Sequence, residues 1–144
     1  MSFSTQQHVE LKVQQGIRKA EDDIVKSIQN ALDTCEYPRD GRDKLEESQF
    51  RNLVRVSDTT DSSEVVKNFL RYQVGREKKW GRGNKSLAER IINDIKGQLF
   101  NSAEKIAKET GSSNIKEIHM ELVRRYLGYG ARYLKYLNSL TEKR

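Results

Sequence analysis

The chain has 144 residues, enough for one domain with its own core. Only 35% of residues are hydrophobic and 33% are charged, so its helices must be amphipathic rather than apolar all round. The net charge of +6 favours an anionic partner, most often nucleic acid, against the plainer reading that the charge serves solubility. The single cysteine, Cys35, excludes an internal disulfide. No apolar run approaches the roughly 18 residues that span a bilayer. MSFSTQQHVE has no basic n-region or apolar core, so no signal peptide and a cytoplasmic location are expected.

Val9, Val13, Ile17, Ala20, Ile24, Ile28 and Leu32 recur at three and four residues, which predicts a long first helix over about 6–35. Pro38 and Gly41 end it. Leu45, Phe50, Leu53 and Val54 predict a short second helix, about 44–56. Asp61 with Glu64 fits a capping box, so a third helix starts near 62 and runs to about Trp80, where GRGN breaks it. Ser86 with Glu89 repeats the box, and Leu87, Ile91, Ile95, Leu99 and Ile106 mark a fourth helix to about 109. Thr110-Gly111 stops it, and Asn114 with Glu117 opens a fifth helix, 115–140. No segment alternates with period two between turn signals, so no sheet is expected. The expected fold is all-α: one compact domain, 1–144, of about five helices. Within it, residues 1–40 form a slightly acidic first helix and 41–144 a basic bundle. The different charge of the first helix suggests looser docking or contacts of its own.

Charge is unevenly spread. Residues 1–40 carry −2 and 41–63 carry −1, whereas 64–100 carry +5 and 101–144 carry +4. Such asymmetry points to an oriented anion-binding surface. Its densest part is RYQVGREKKW, residues 71–80. On a helical wheel with Lys67 at 0°, Arg71 falls at about 40° and Lys78 at about 20°. Val66, Phe69, Leu70, Gln73 and Trp80 gather between about 200° and 300°, the expected core face. Gly75, at about 80°, leaves a gap beside the cationic stripe. Glycine there costs roughly 1 kcal/mol of helix stability against alanine, which suggests close approach of a polyanion backbone. Arg76, at about 180°, stands at the edge of the core face, where it would hold a phosphate or pin a neighbouring helix. Glu77 is the one acid among Arg71, Arg76, Lys78, Lys79 and Arg82. The null expectation is a solvated charged face.

Catalysis is poorly supported. His8 and His119 are the only histidines and lie far apart in sequence; packed or surface roles suit them better than a general acid–base pair. Cys35 stands alone, and Asp22-Asp23 reads as a charged helix face, so neither a catalytic residue nor a metal ligand nor a cofactor is assigned. GRGNK at 81–85 lacks the Gly-Lys-Ser/Thr ending of a P-loop and follows a helix, although a basic turn with Arg82 can touch a phosphate. Tyr126, Tyr129, Tyr133 and Tyr136 recur at helical spacing, mostly as core, with base stacking as the sharper alternative. Arg124, Arg125, Arg132 and Lys135 flank them and would extend the cationic surface.

QFRNLV at 49–54, RYQVGRE at 71–77 and RRYLGYGARYLKYL at 124–137 occur in an order and spacing that resembles the small helical subunit of the type III-A CRISPR–Cas (Csm) effector complex. The resemblance covers about residues 45–140, and its middle motif is the most specific part. Gln49 stands where that family commonly has lysine, and the first helix matches only in being long and helical. The resemblance implies a non-catalytic RNA-binding scaffold subunit of a CRISPR ribonucleoprotein in antiviral defence. Copies of it would stack as a filament along guide RNA and target RNA, beside other effector-complex subunits. It carries over Arg51 from the first motif and Arg71, Gln73, Gly75 and Arg76 from the second. Lys67, Lys78, Lys79 and Arg82 join them as candidate RNA-binding residues from the charge pattern alone. Specificity would come from base pairing, leaving the protein backbone and shape contacts. The rival reading is a helical protein-interaction module whose basic face meets an acidic partner.

Overall fold

The computed structural model describes residues 3–142, with side chains from 5 to 141. Among the described residues the regular elements are all helices: α1 (Phe3–Thr34), α2 (Glu47–Asp58), α3 (Ser63–Arg76), α4 (Leu87–Lys96), α5 (Gln98–Thr110) and α6 (Ile115–Glu142). The all-α class is as the apolar periodicity requires, with one isolated bridge, between Glu36 and Ser86, as the extended pairing among the described residues. The helix expected from Ser86 to about 109 is broken at Gly97, where φ −107° and ψ −91° leave the helical region. A Cβ there would lie 2.9 Å from the Asn93 carbonyl oxygen, so the bend itself demands glycine.

The last helix is the hub: α6 packs on α1, α2 and α5 and touches α3. Contrary to the looser docking that its charge suggested, α1 is a main wall of the core. Val13, Ile17, Ile24, Ile28, Ala31 and Leu32 are all buried against the other helices. Each fully buried aliphatic side chain contributes about 1.5–3 kcal/mol, which outweighs a small charge imbalance. The crossing of α6 over α1 and α2 depends on Gly130. A Cβ there would stand 2.6 Å from Phe50 Cε1 and 2.9 Å from Ile28 Cγ1.

Local chemistry sets the helix starts. Ser86 Oγ accepts from the Glu89 amide at 3.1 Å, as the capping box predicts. Gln49, on α2, reaches back so that its Oε1 accepts the Glu46 amide at 2.9 Å. The cap of α3 is Ser62 rather than Asp61. Asp61 faces Arg124 of α6 at 3.4 Å, and the same guanidinium donates to the carbonyls of Ser57 (2.8 Å) and Thr60 (2.9 Å). Arg124 therefore clamps the α2–α3 turn. Arg125 is likewise engaged, with Glu21 at 3.0 Å and Glu121 at 3.3 Å.

Candidate nucleic-acid interface

The charged stretch 71–82 is not one continuous helix. Glu77 is extended (φ −149°, ψ 168°), so α3 stops at Arg76, four residues before the expected end at Trp80. Long-range contacts explain the early stop. The chain from 77 to 86 lies against the segment after α1: the Glu36 amide donates to Lys85 O at 2.9 Å, and the Leu87 amide donates to Glu36 O at 3.0 Å. Gly81, at φ 76°, crosses so near that a Cβ would fall 2.3 Å from the Glu36 oxygen. Trp80 is buried beside Phe50, with ring centroids 5.1 Å apart.

That geometry sorts the nine candidate residues. Two belong to the fold rather than to an outward surface. Lys67 is only 7% exposed, and its ammonium pairs with the exposed Glu64. The bond from Lys67, aided by its charge, holds the Glu64 carboxyl below the usual value. Lys67 was expected in the outer stripe. It is covered because α3 packs on α2 and α4 and also touches α6, which widens its buried arc. Lys79 was likewise expected to face an anion. Its ammonium instead donates to the carbonyls of Lys44 at 3.2 Å and Arg42 at 3.4 Å, pinning the loop before α2.

Arg82 has a structural bond as well, its Nε donating to Val74 O at 3.3 Å in the last turn of α3. It is otherwise exposed, and with Lys78, Glu36, Tyr37, Pro38 and Gly81 it lines a shallow depression. Because the helix ends before Lys78, that lysine is not in helical register with Arg71.

The remaining candidates gather on α2 and α3. Arg51 is 59% exposed and pairs within its own helix with Glu47 at 2.8 Å, so it does not reach across the bundle. Such a surface pair is weak and exchanges readily for a phosphate. Gln73 and Arg76 share a cleft of ≈180 Å³ with Gln49, Asn52, Glu77 and Trp80, which brings the QFRNLV and RYQVGRE motifs together. Arg76 is exposed, with its guanidinium 5.9 Å from the centre of the Tyr72 ring. Arg71 and Gly75 are exposed, and a Cβ on Gly75 would meet nothing within 4 Å.

On the same wheel the solvent face of α3 runs through Arg71, Gly75, Asn68, Tyr72, Val65 and Arg76, from about 40° to about 180°. All six are exposed. Tyr72 is the residue that charge-based reasoning overlooked. Its signal was its position at about 140°, outside the core arc of about 200° to 300°.

Of the tyrosines read as core or stacking residues, three are tied inward. Tyr126 donates to Asp94 (2.7 Å), Tyr129 to Glu21 (2.6 Å) and Tyr133 to Asp33 (2.9 Å), while Tyr136 is exposed. His119 is buried, its Nε2 2.6 Å from the Ile95 carbonyl and its ring edge-on to Phe100. Burial, together with the charge of Lys67, lowers its pKa against the opposing pull of the Ile95 bond. Among the described residues no three His, Cys, Asp or Glu side chains converge as a metal site, and no helix is long and apolar enough to cross a membrane. Comparison with protein-family models, with curated proteins and with solved structures finds no match.

Proposed function

We propose that this chain is a non-catalytic RNA-binding scaffold subunit that contacts the RNA backbone without sequence specificity. The motif resemblance supports a role in a CRISPR ribonucleoprotein effector of type III-A, in antiviral defence. Its partners there are guide RNA, target RNA, other effector-complex subunits and copies of itself. The observation that carries the reading is the outer face of α3. There Arg71 and Arg76 present guanidinium groups on either side of a bare Gly75, and neither makes an ion pair among the described residues. Arg51 on α2 and Lys78 and Arg82 beyond the helix end add exposed positive charge. Gln73 lines the cleft next to Arg76, while Lys67 and Lys79 hold the scaffold.

Phosphate neutralisation by such a face releases counterions, so affinity should fall steeply with salt. Binding titrated against salt, with single-stranded RNA, single-stranded DNA and an acidic peptide, tests it. Arg71→Ala and Lys78→Ala each weaken RNA binding about equally for all sequences and lower the salt slope by roughly one unit. Unchanged affinity in both variants sinks this surface, and preference for the acidic peptide returns the protein-interaction reading.

A further inference from the structure

Tyr72 sits in the middle of the exposed α3 face and is 58% exposed. The hydroxyls of Tyr37, Tyr126, Tyr129 and Tyr133 are occupied by hydrogen bonds within the fold. Tyr72 has no such anchor, and burial does not explain it. Its surroundings do. The half-buried Phe69 ring backs it at 6.5 Å and an interplanar angle of 41°, and the Arg76 guanidinium lies 5.9 Å from its centroid. Arg71 and the bare backbone of Gly75 stand alongside on the same face. An exposed aromatic ring with one guanidinium over it, a second cation on the same helix face and open backbone beside it has the parts of a nucleobase platform. The ring offers a π-face and the arginines take the adjoining phosphates.

We propose that Tyr72 stacks on an unpaired RNA base, so that the α3 face holds guide or target RNA more tightly where it is unpaired than where the two are paired, the duplex keeping the backbone contacts alone. The inference rests on the RNA-binding reading of α3 and adds a selectivity that phosphate contacts alone lack. In a duplex both faces of each base are already stacked, so only backbone contacts remain for this helix. A single strand offers both. Stacking is indifferent to base identity, in keeping with binding that does not read sequence.

The test uses one RNA strand without self-complementarity, alone and annealed to its complement, with full-length protein. Tyr72→Ala is expected to lose roughly fivefold to a hundredfold in affinity for the single strand, to stay within about twofold on the duplex, and to leave the salt slope unchanged. Tyr72→Phe and Tyr72→Trp retain the single-strand preference. Tyr72 is exposed, so the variants should keep wild-type helicity by circular dichroism, which is checked first. Equal losses on the two forms overturn the stack. So does an unchanged Tyr72→Ala, which would instead make Tyr72 and Arg76 anchors for a protein partner. If Arg71→Ala still lowers the salt slope, that failure belongs to the stack alone. If the wild-type protein binds neither form, the RNA reading of α3 falls and the stack with it.

Discussion

Gly75 occupies the last turn of α3 with helical geometry, and an added methyl would meet no neighbour within 4 Å. Nothing in the folded chain calls for glycine there, in contrast to Gly81 and Gly130, where a Cβ would collide with Glu36 and Phe50. Gly75→Ala should therefore stabilise the fold by about 0.5–1 kcal/mol, read from the midpoint of urea unfolding. The same variant should weaken RNA binding, because the methyl fills the gap between Arg71 and Tyr72. A stability gain with unchanged affinity would show that no backbone comes close at this point. Lys79 and Arg71 make the opposite pair. Lys79→Ala, which frees the Lys44 and Arg42 carbonyls, should cost about 1 kcal/mol of stability and leave the salt slope alone. Arg71→Ala should leave stability alone and lower the slope.

At the level of elements, α6 is tied to the end of α4 by His119, whose Nε2 meets the Ile95 carbonyl. Burial lowers this histidine's pKa below its ordinary value of 6.5, and the Lys67 charge lowers it further. The folded state thus keeps His119 neutral where the unfolded chain would protonate it. Its contribution is fully present above about pH 6.5 and is lost as pH falls from there through the lowered folded value. Thermal midpoints of the wild-type protein should drop over that interval, and His119→Gln should flatten this part of the profile; identical profiles would remove His119 as the cause.

How much of each element was legible follows from what sets its limits. The apolar repeats of α1 and α6 and the Ser86 cap are local, and they stand where the sequence puts them. The end of α3 is set by residues 36–45 folding against 77–86, a contact that has no local period. Extending the wheel to Lys78 and Trp80 therefore misaligned them. Lys67 was misread for a related reason, since contacts with several helices bury a wider arc than a one-sided amphipathic helix shows.

Across the whole molecule, acids of the first helix face α6: Glu21 pairs with Arg125 and accepts from Tyr129, and Asp33 accepts from Tyr133. The basic second half carries the net positive charge. The deepest of these acid contacts is Asp94 on α4, only 8% exposed. Its carboxylate accepts from Arg90 Nε at 3.0 Å, Tyr126 Oη at 2.7 Å and Ser27 Oγ at 3.2 Å, so it joins α4 to α6 and α1. The Arg90 guanidinium also reaches Asn30 and the Ser27 carbonyl. Burial works to lower the Arg90 pKa, and the charge and bond from Asp94 more than reverse it. Tyr126, almost wholly enclosed, is pushed well above its ordinary value by burial and then by the same carboxylate. Removing Asp94 would thus leave Arg90 without its ion-pair partner and the buried Tyr126 hydroxyl without its acceptor, while Ser27 keeps Gln98 Oε1 at 2.9 Å. Asp94→Ala should cost about 2–3 kcal/mol, whereas Tyr126→Phe, which removes one donor and leaves the carboxylate paired with Arg90, should cost about 1 kcal/mol. Urea unfolding of the two variants measures the difference, and equal losses would mean that the carboxylate organises nothing beyond the Tyr126 bond. Neither change touches the outer face of α3. The folded fraction of each variant should bind RNA with the wild-type salt slope, which separates the interior that assembles the bundle from the surface proposed to meet RNA.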